Sequence, residues 1–305
     1  MLENRPFIKV FLILVSAFAV LHAGSAMAET GLTGVFVSSK IRPYLDALDG
    51  FKSKTQRELL IIYLDDNLEL AKHYLKSGNL DAAVAIGPEA AKIIYSSSVK
   101  IPVRMVIMTL DVKKLIPGAD PCGIDLRVPI SFQVSQIATH LGRGRKVAII
   151  YNPGENADVI SRAQKACRKA GLDLVLLPVA GSDEIMKRLA PQIDDIDVLL
   201  FIPDSTVISE KIVTHLTKEA LLKAVAVVGY NHFFYETGAL IAFTIDYRQV
   251  GINGAELLEE FAARHDCRLV PPPVEIEWNQ KVFRLLKARN PERWSDIPGG
   301  ITHGD

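Results

Sequence analysis

Charge of one sign is the first thing this sequence lacks: Lys+Arg 35 stand against Asp+Glu 35 in 305 residues. Neutralised phosphates dominate nucleic-acid affinity, and a chain without a basic excess has no footprint for such a polyanion. Nucleic acid is therefore not expected as a partner. Cysteine is scarce too, with Cys122, Cys167 and Cys267 the only three. At most one internal disulfide can form, so an apolar core must stabilise the fold. Two readings stay open for these residues: buried thiols, which are favoured, or one bridge such as Cys122 with Cys267. No CxxC, HExxH, GxGxxG, GxxxxGK[ST] or GxSxG stretch occurs, which leaves zinc, nucleotide and serine-hydrolase sites without support. The seven histidines show no ligand spacing and read as surface or capping side chains. No metal, cofactor or catalytic residue is expected, and the protein is not expected to be an enzyme.

A hydrophobic run of membrane-spanning length is missing as well. Val10–Leu21 is apolar except for Ser16, short of the ~20 residues a spanning helix needs. It follows Arg5 and Lys9 and precedes Ala26-Met27-Ala28, the three-part layout of a secretory signal peptide. Residues 1–28 are expected to be cleaved after Ala28, which delivers the mature chain to the periplasm. No cysteine follows the run, so a lipid anchor is not indicated.

What is present is a rhythm of short apolar runs and longer helical periodicities. Strand candidates are Val35–Val37, Leu59–Leu64, Ala82–Ile86, Val103–Met108, Val147–Tyr151, Asp173–Leu177, Val198–Ile202, Ala224–Val228, Leu240–Thr244 and Val274–Trp278. Amphipathic stretches such as Ala157–Ala170, Val207–Ala220 and Tyr247–Ala263 lie between them. Continuous apolar strands separated by such helices imply parallel strands buried on both faces, an α/β fold of repeated βαβ units. The rhythm breaks between Thr109 and Pro129, where Pro117, Gly118, Pro121 and Gly123 crowd a stretch without a clear helix. It breaks again at Pro271–Pro273. Such punctuation marks domain connections, and the expected arrangement is two doubly wound parallel-sheet lobes joined by hinge crossings. The N-terminal lobe is expected over 29–125 plus about 246–272. The C-terminal lobe is expected over 126–245 plus about 273–288, with 289–305 a flexible tail.

Polar clusters recur directly after strands and before helices: Tyr151 to Asn156, Pro203 to Thr206, and Gly87-Pro88-Glu89. The first N–H groups of a helix are unpaired and partly positive, so a ligand carboxylate can be held there. N-capping is the better explanation of any single cluster, with Asn156, Ser205 or Thr206, and Asp246 followed by Gln249 as the caps. Several clusters at equivalent ends of two lobes favour a cleft site. Asn152, Glu155, Asp204, Asn231 and Asp246 offer acceptors for a ligand ammonium. Tyr63, Tyr230, Phe233, Phe234, Tyr235 and Tyr247 offer stacking surface, although such residues are more often core.

Lys146 to Asn156 (KVAIIYNPGEN), Pro203-Asp204-Ser205-Thr206-Val207, Gly238-Ala239-Leu240 and Asp246 to Gly251 (DYRQVG) together resemble the ABC-transporter substrate-binding proteins of the tryptophan/tyrosine-type family. Order and spacing match from about Val103 to Leu286. The resemblance implies a periplasmic-binding-protein fold of type I, whose two lobes close on a small ligand, often an amino acid. It also implies ligand contacts at Asn152, Glu155 and Asn156, at Asp204, Ser205 and Thr206, and at Asp246. From the first lobe it adds Ser38, Ser39, Gly87, Pro88, Thr109 and Asp111. Tyr230-Asn231-His232 stands where the family has a small acidic stretch. The expected function is that of an exported, monomeric solute-binding protein that delivers a small molecule to an inner-membrane ABC permease. The alternative is a periplasmic sensing module that signals to a membrane receptor or kinase.

Overall fold

The computed structural model describes residues 31–264 and 266–297; the expected signal peptide and its cleavage point lie outside them. The first strands and helices are β1 Thr33–Val37, α1 Arg42–Lys54, β2 Leu59–Tyr63, α2 Leu68–Ser77, β3 Ala82–Ile86 and α3 Pro88–Ser96. Next come β4 Val103–Thr109, α4 Val112–Leu115, β5 Cys122–Asp125 and α5 Ile130–Leu141. They are followed by β6 Lys146–Tyr151, α6 Pro153–Ala170, β7 Asp173–Pro178, α7 Ile185–Leu189, β8 Val198–Leu200 and α8 Glu210–Leu222. The last are β9 Ala226–Gly229, α9 His232–Thr237, β10 Ile241–Thr244, α10 Tyr247–Arg264, β11 Leu269–Val270, β12 Glu275–Trp278, α11 Gln280–Arg289 and α12 Pro291–Trp294.

The strands form two six-stranded sheets, ordered β11-β5-β4-β3-β1-β2 and β12-β10-β9-β8-β6-β7. Pairing is parallel except between β10 and β12. Each sheet is covered on both faces. Phe51, Val250 and Phe261 pack on one face of the first sheet, with Ala71, Ala91 and Ile94 on the other. Val134, Ile160 and Phe283 pack on one face of the second, with Ile185, Leu216 and Phe234 on the other. This double coverage explains why β1 and β3 are buried at every position and read as continuous apolar runs. The chain passes between the sheets after β5, after β10 and after β11, so both sheets present the carboxyl ends of their parallel strands towards a common cleft.

Local chemistry sets the boundaries. Asn67, Ser209 and Asn279 each accept a hydrogen bond from the backbone N–H three residues on, at the starts of α2, α8 and α11. Helix α2 ends on Gly78 in the left-handed conformation. Helices α1 and α10 touch backbone to backbone: a Cβ on Gly251 would lie 1.9 Å from the Ala47 carbonyl oxygen, and one on Gly50 2.0 Å from that of Arg248.

Several expectations need correction. The Thr109–Pro129 stretch holds α4 and β5, and the irregular patch before Pro271 holds β11. Both strands are too short for periodicity to reveal, and tertiary pairing makes them. The aromatic stretch after β9 is helical, as α9. The thiol reading, favoured for all three cysteines, holds only for buried Cys167; Cys122 and Cys267 form a disulfide with their Cα atoms 5.0 Å apart. It joins the start of β5 to the approach to β11. Residues 289–297, expected as a loose tail, fold onto the second lobe. Trp294 is wholly buried, donates from Nε1 to the Ala224 carbonyl at 2.9 Å and carries the Arg145 guanidinium over its ring at 5.0 Å.

Candidate functional site

The cleft between the lobes encloses about 700 Å³, within the ~300–1,000 Å³ usual for small-molecule sites. The first lobe contributes Leu110, Asp111 and Lys114, the crossing after β5 contributes Arg127, and the second lobe contributes Gly154 to Asp158 and Pro203 to Ser205 with Ile208. A second cavity of about 470 Å³ shares Asp111, Lys114, Arg127, Asp158 and Pro203 and extends along the crossings, past Val128 to Ile130 and Leu269 to Pro271.

The second-lobe wall is a hydrogen-bonded unit centred on Asp204, which is 2% exposed. Its Oδ2 accepts from the Asn152 backbone N–H at 2.7 Å and from Asn156 Nδ2 at 2.9 Å, and its Oδ1 accepts from the Thr206 N–H at 3.0 Å. Asn156 reaches Asp204 because α6 departs from helical geometry there, at φ −124° and ψ 18°. Its second Nδ2 bond goes to the Pro203 carbonyl at 3.1 Å. Asn152 caps α6, accepting from the Gly154 N–H at 2.9 Å, and donates to Thr206 Oγ1 at 3.0 Å. Glu155 accepts from the Ser205 N–H at 3.0 Å and from its hydroxyl; these bonds hold the Glu155 carboxyl below the usual carboxylate range.

On the first lobe β4 carries an irregularity. Its register against β5 shifts between Val106 and Thr109, and Met108 adopts φ 59°. Opposite the shift sits Gly123, at φ +125°, where a Cβ would lie 1.9 Å from the Val106 carbonyl oxygen. Bulges of this kind re-aim the chain beyond them. Beyond this one, Asp111 takes φ 54°, and the Asp125 carboxylate accepts from the Asp111, Val112 and Arg127 backbone N–H groups at 3.0, 3.0 and 2.9 Å. That frame brings the Arg127 Nε and Nη2 onto the two oxygens of Asp111, with the two side chains 13% and 25% exposed. Lys114 reaches across the cleft and donates to the Glu155 carbonyl at 2.8 Å. Tyr230 follows β9 directly; burial pushes its phenol up to about 12, against the pull of the nearby Arg127 charge and with the push of Asp204.

Of the residues singled out from sequence, Asp111, Glu155, Asn156, Asp204 and Ser205 line the main cavity, and Asn152 and Thr206 are bonded to that wall. Ser38 accepts from the Ala90 N–H at 3.0 Å and so caps α3, which begins at Gly87 and Pro88. Ser39 is half-buried in the loop after β1. Thr109 is buried within β4. Asp246 is exposed and accepts from the Gln249 N–H at 3.1 Å, capping α10. Asn231 precedes α9, and its Oδ1 is buried without a partner among the described residues. Arg127, Lys114 and Asp158 escaped the sequence reading. A lone cation in the short connection between β5 and α5, two residues before Pro129, was the available signal for Arg127.

Two doubly wound α/β lobes, facing each other across a polar cleft at the carboxyl ends of their strands, define a type I periplasmic binding protein. The chain belongs to the ABC transporter substrate binding protein family, whose profile matches residues 64–261, more than half of it. Similar solved structures include the ligand-free, open form of a substrate binding protein with adhesive properties from Clostridium difficile, at 17% identity over 84% of this chain and 94% of that one, TM-score 0.68. Another is a periplasmic ribose ABC transporter from Conexibacter woesei, at 14% identity over 90% and 100%, TM-score 0.58. A third is the ABC domain in complex with L-Trp from Streptococcus pneumonia, at 16% identity over 88% and 99%, TM-score 0.54. At these identities the likeness is one of fold. No curated protein matches the chain.

Proposed function

We propose that this protein is the exported solute-binding component of an ABC uptake system, which closes its two lobes over a small ligand of amino-acid size and presents the closed form to an inner-membrane permease. The observation that carries this reading is the cleft itself: both lobes and the crossing after β5 line one cavity, so a ligand there contacts all three parts at once. Such a ligand favours the closed arrangement by its differential affinity for it. Family membership supports an ABC system as the context and the periplasm as the compartment. Among the described residues no helix is long and apolar enough to cross a membrane. The test is mass spectrometry of small molecules released from the native protein, followed by calorimetric titration of each; absence of any released molecule and of any calorimetric response would sink the proposal.

A further inference from the structure

The helix N-termini expected to hold a ligand's anionic end are already capped by side chains of this chain. Ser38 occupies the start of α3, Asn152 that of α6 and Asp246 that of α10. The carboxylates that line the cleft are likewise engaged. Asp204 accepts three protein hydrogen bonds, Glu155 holds Ser205, Asp111 holds Arg127, and Asp158 pairs with Arg162 at 3.0 Å. Lys114 is committed to the Glu155 carbonyl.

Arg127 differs. A guanidinium has two edges that can bind a carboxylate side by side, Nε with one terminal nitrogen and the two terminal nitrogens together. Asp111 occupies the first edge. Among the described residues nothing hydrogen-bonds Nη1, and the residue lines both interlobe cavities. Asp111 and Asp125 hold the fork in place before any ligand arrives, which lowers the ordering cost of binding. Arg127 also belongs to a crossing between the lobes, so a ligand bound there acts directly on the segment that must bend.

We propose that the outer edge of Arg127 anchors the ligand through a carboxylate or similar planar oxyanion, with Asp111 as its positioning residue, and that an ammonium group on the ligand contributes little. This rests on the solute-binding reading and narrows it to small organic acids.

Calorimetric titration of the full mature protein tests this with two matched probe sets: 3-phenylpropionate, its carboxamide and L-phenylalanine, then 4-methylpentanoate, its carboxamide and L-leucine, with D-ribose as a neutral control. An acid is expected to bind ~10- to 100-fold more tightly than its amide, the range for a hydrogen-bonded charge, and within about threefold of the amino acid. Arg127→Gln is expected to abolish the preference for acid over amide, and Arg127→Lys to retain part of it, since it keeps the charge without the fork. Arg127→Gln leaves Asp111 unpaired, so the double variant Asp111→Asn with Arg127→Gln gives the same readout if the single one fails to fold. Equal binding of acid and amide, an amino acid binding more than tenfold tighter than its acid, or undiminished acid preference without Arg127 overturns the anchor. Binding of ribose or amides alone overturns the anchor and leaves the solute-binding reading standing, whereas no binding by any probe counts against both.

Discussion

Asp204 shows how a single side chain organises one wall of the cleft. It ties the first turn of α6 to the loop after β8, and its truncation leaves the Asn152 and Thr206 backbone N–H groups without a partner. Asp204→Ala is expected to cost about 2–4 kcal/mol of stability, read from chemical denaturation followed by circular dichroism, and to weaken ligand binding with it. Glu155 and Ser205 make the second tie. Because the folded Glu155 carboxyl lies below its unfolded value, the contribution of this contact is complete above the ordinary carboxylate range and is lost as pH falls through the folded value. Ser205→Ala removes the hydroxyl but keeps the backbone N–H bond and is expected to move Glu155 part of the way up towards the usual range, as an NMR titration of its side chain would show; an unmoved titration would mean the hydroxyl contact does not form in solution. The wall residues were readable as polar clusters at strand exits. Arg127 was not, because its role depends on a bulge in β4 and a pairing with Asp111, and neither follows from residue spacing.

Most elements were legible because burial on both faces writes itself as apolar runs, and amphipathic helices as a 3.6-residue period. The failures share a cause. Strands β5 and β11 have 4 and 2 residues and exist through their pairing with neighbours and the Cys122–Cys267 bridge. That bridge spans 145 residues of sequence, and in the chain-entropy account such a loop contributes about 5 kcal/mol. Reduction with dithiothreitol is expected to lower the thermal midpoint by roughly 5–15 °C, followed by circular dichroism; an unchanged midpoint would show that the pairing of β5 and β11 holds without it. The contact of α1 with α10 is equally exacting. Gly251→Val is expected to destabilise by more than about 2 kcal/mol, since the added atoms meet the Ala47 carbonyl, and thermal unfolding would measure it.

At the scale of the molecule, the lobe closure proposed above is an equilibrium, and Lys114 is placed to bias it. Its bond to the Glu155 carbonyl crosses the cleft between exposed partners, and contacts of this type contribute up to about 1 kcal/mol. Lys114→Ala is expected to weaken ligand affinity by up to about 5-fold and to raise the ligand-free radius of gyration measured by X-ray scattering. No change in either would place the closing contacts elsewhere. The two-lobe plan itself was foreseen from the rhythm of strands and helices and from two proline-rich interruptions, because a doubly wound lobe repeats one pattern many times. Which residues face one another across the cleft is set by the docking of the lobes, and no local pattern encodes it.

The placement of the indole rings has an optical consequence. The chain has 2 tryptophans, Trp278 on β12 and Trp294 on α12, both packed in the same core of the second lobe. Intrinsic indole fluorescence therefore reports on that lobe alone. The first lobe, with the disulfide at its sheet edge, can melt without altering the emission, so reducing conditions should separate a fluorescence-detected transition from an earlier one seen only in the far ultraviolet.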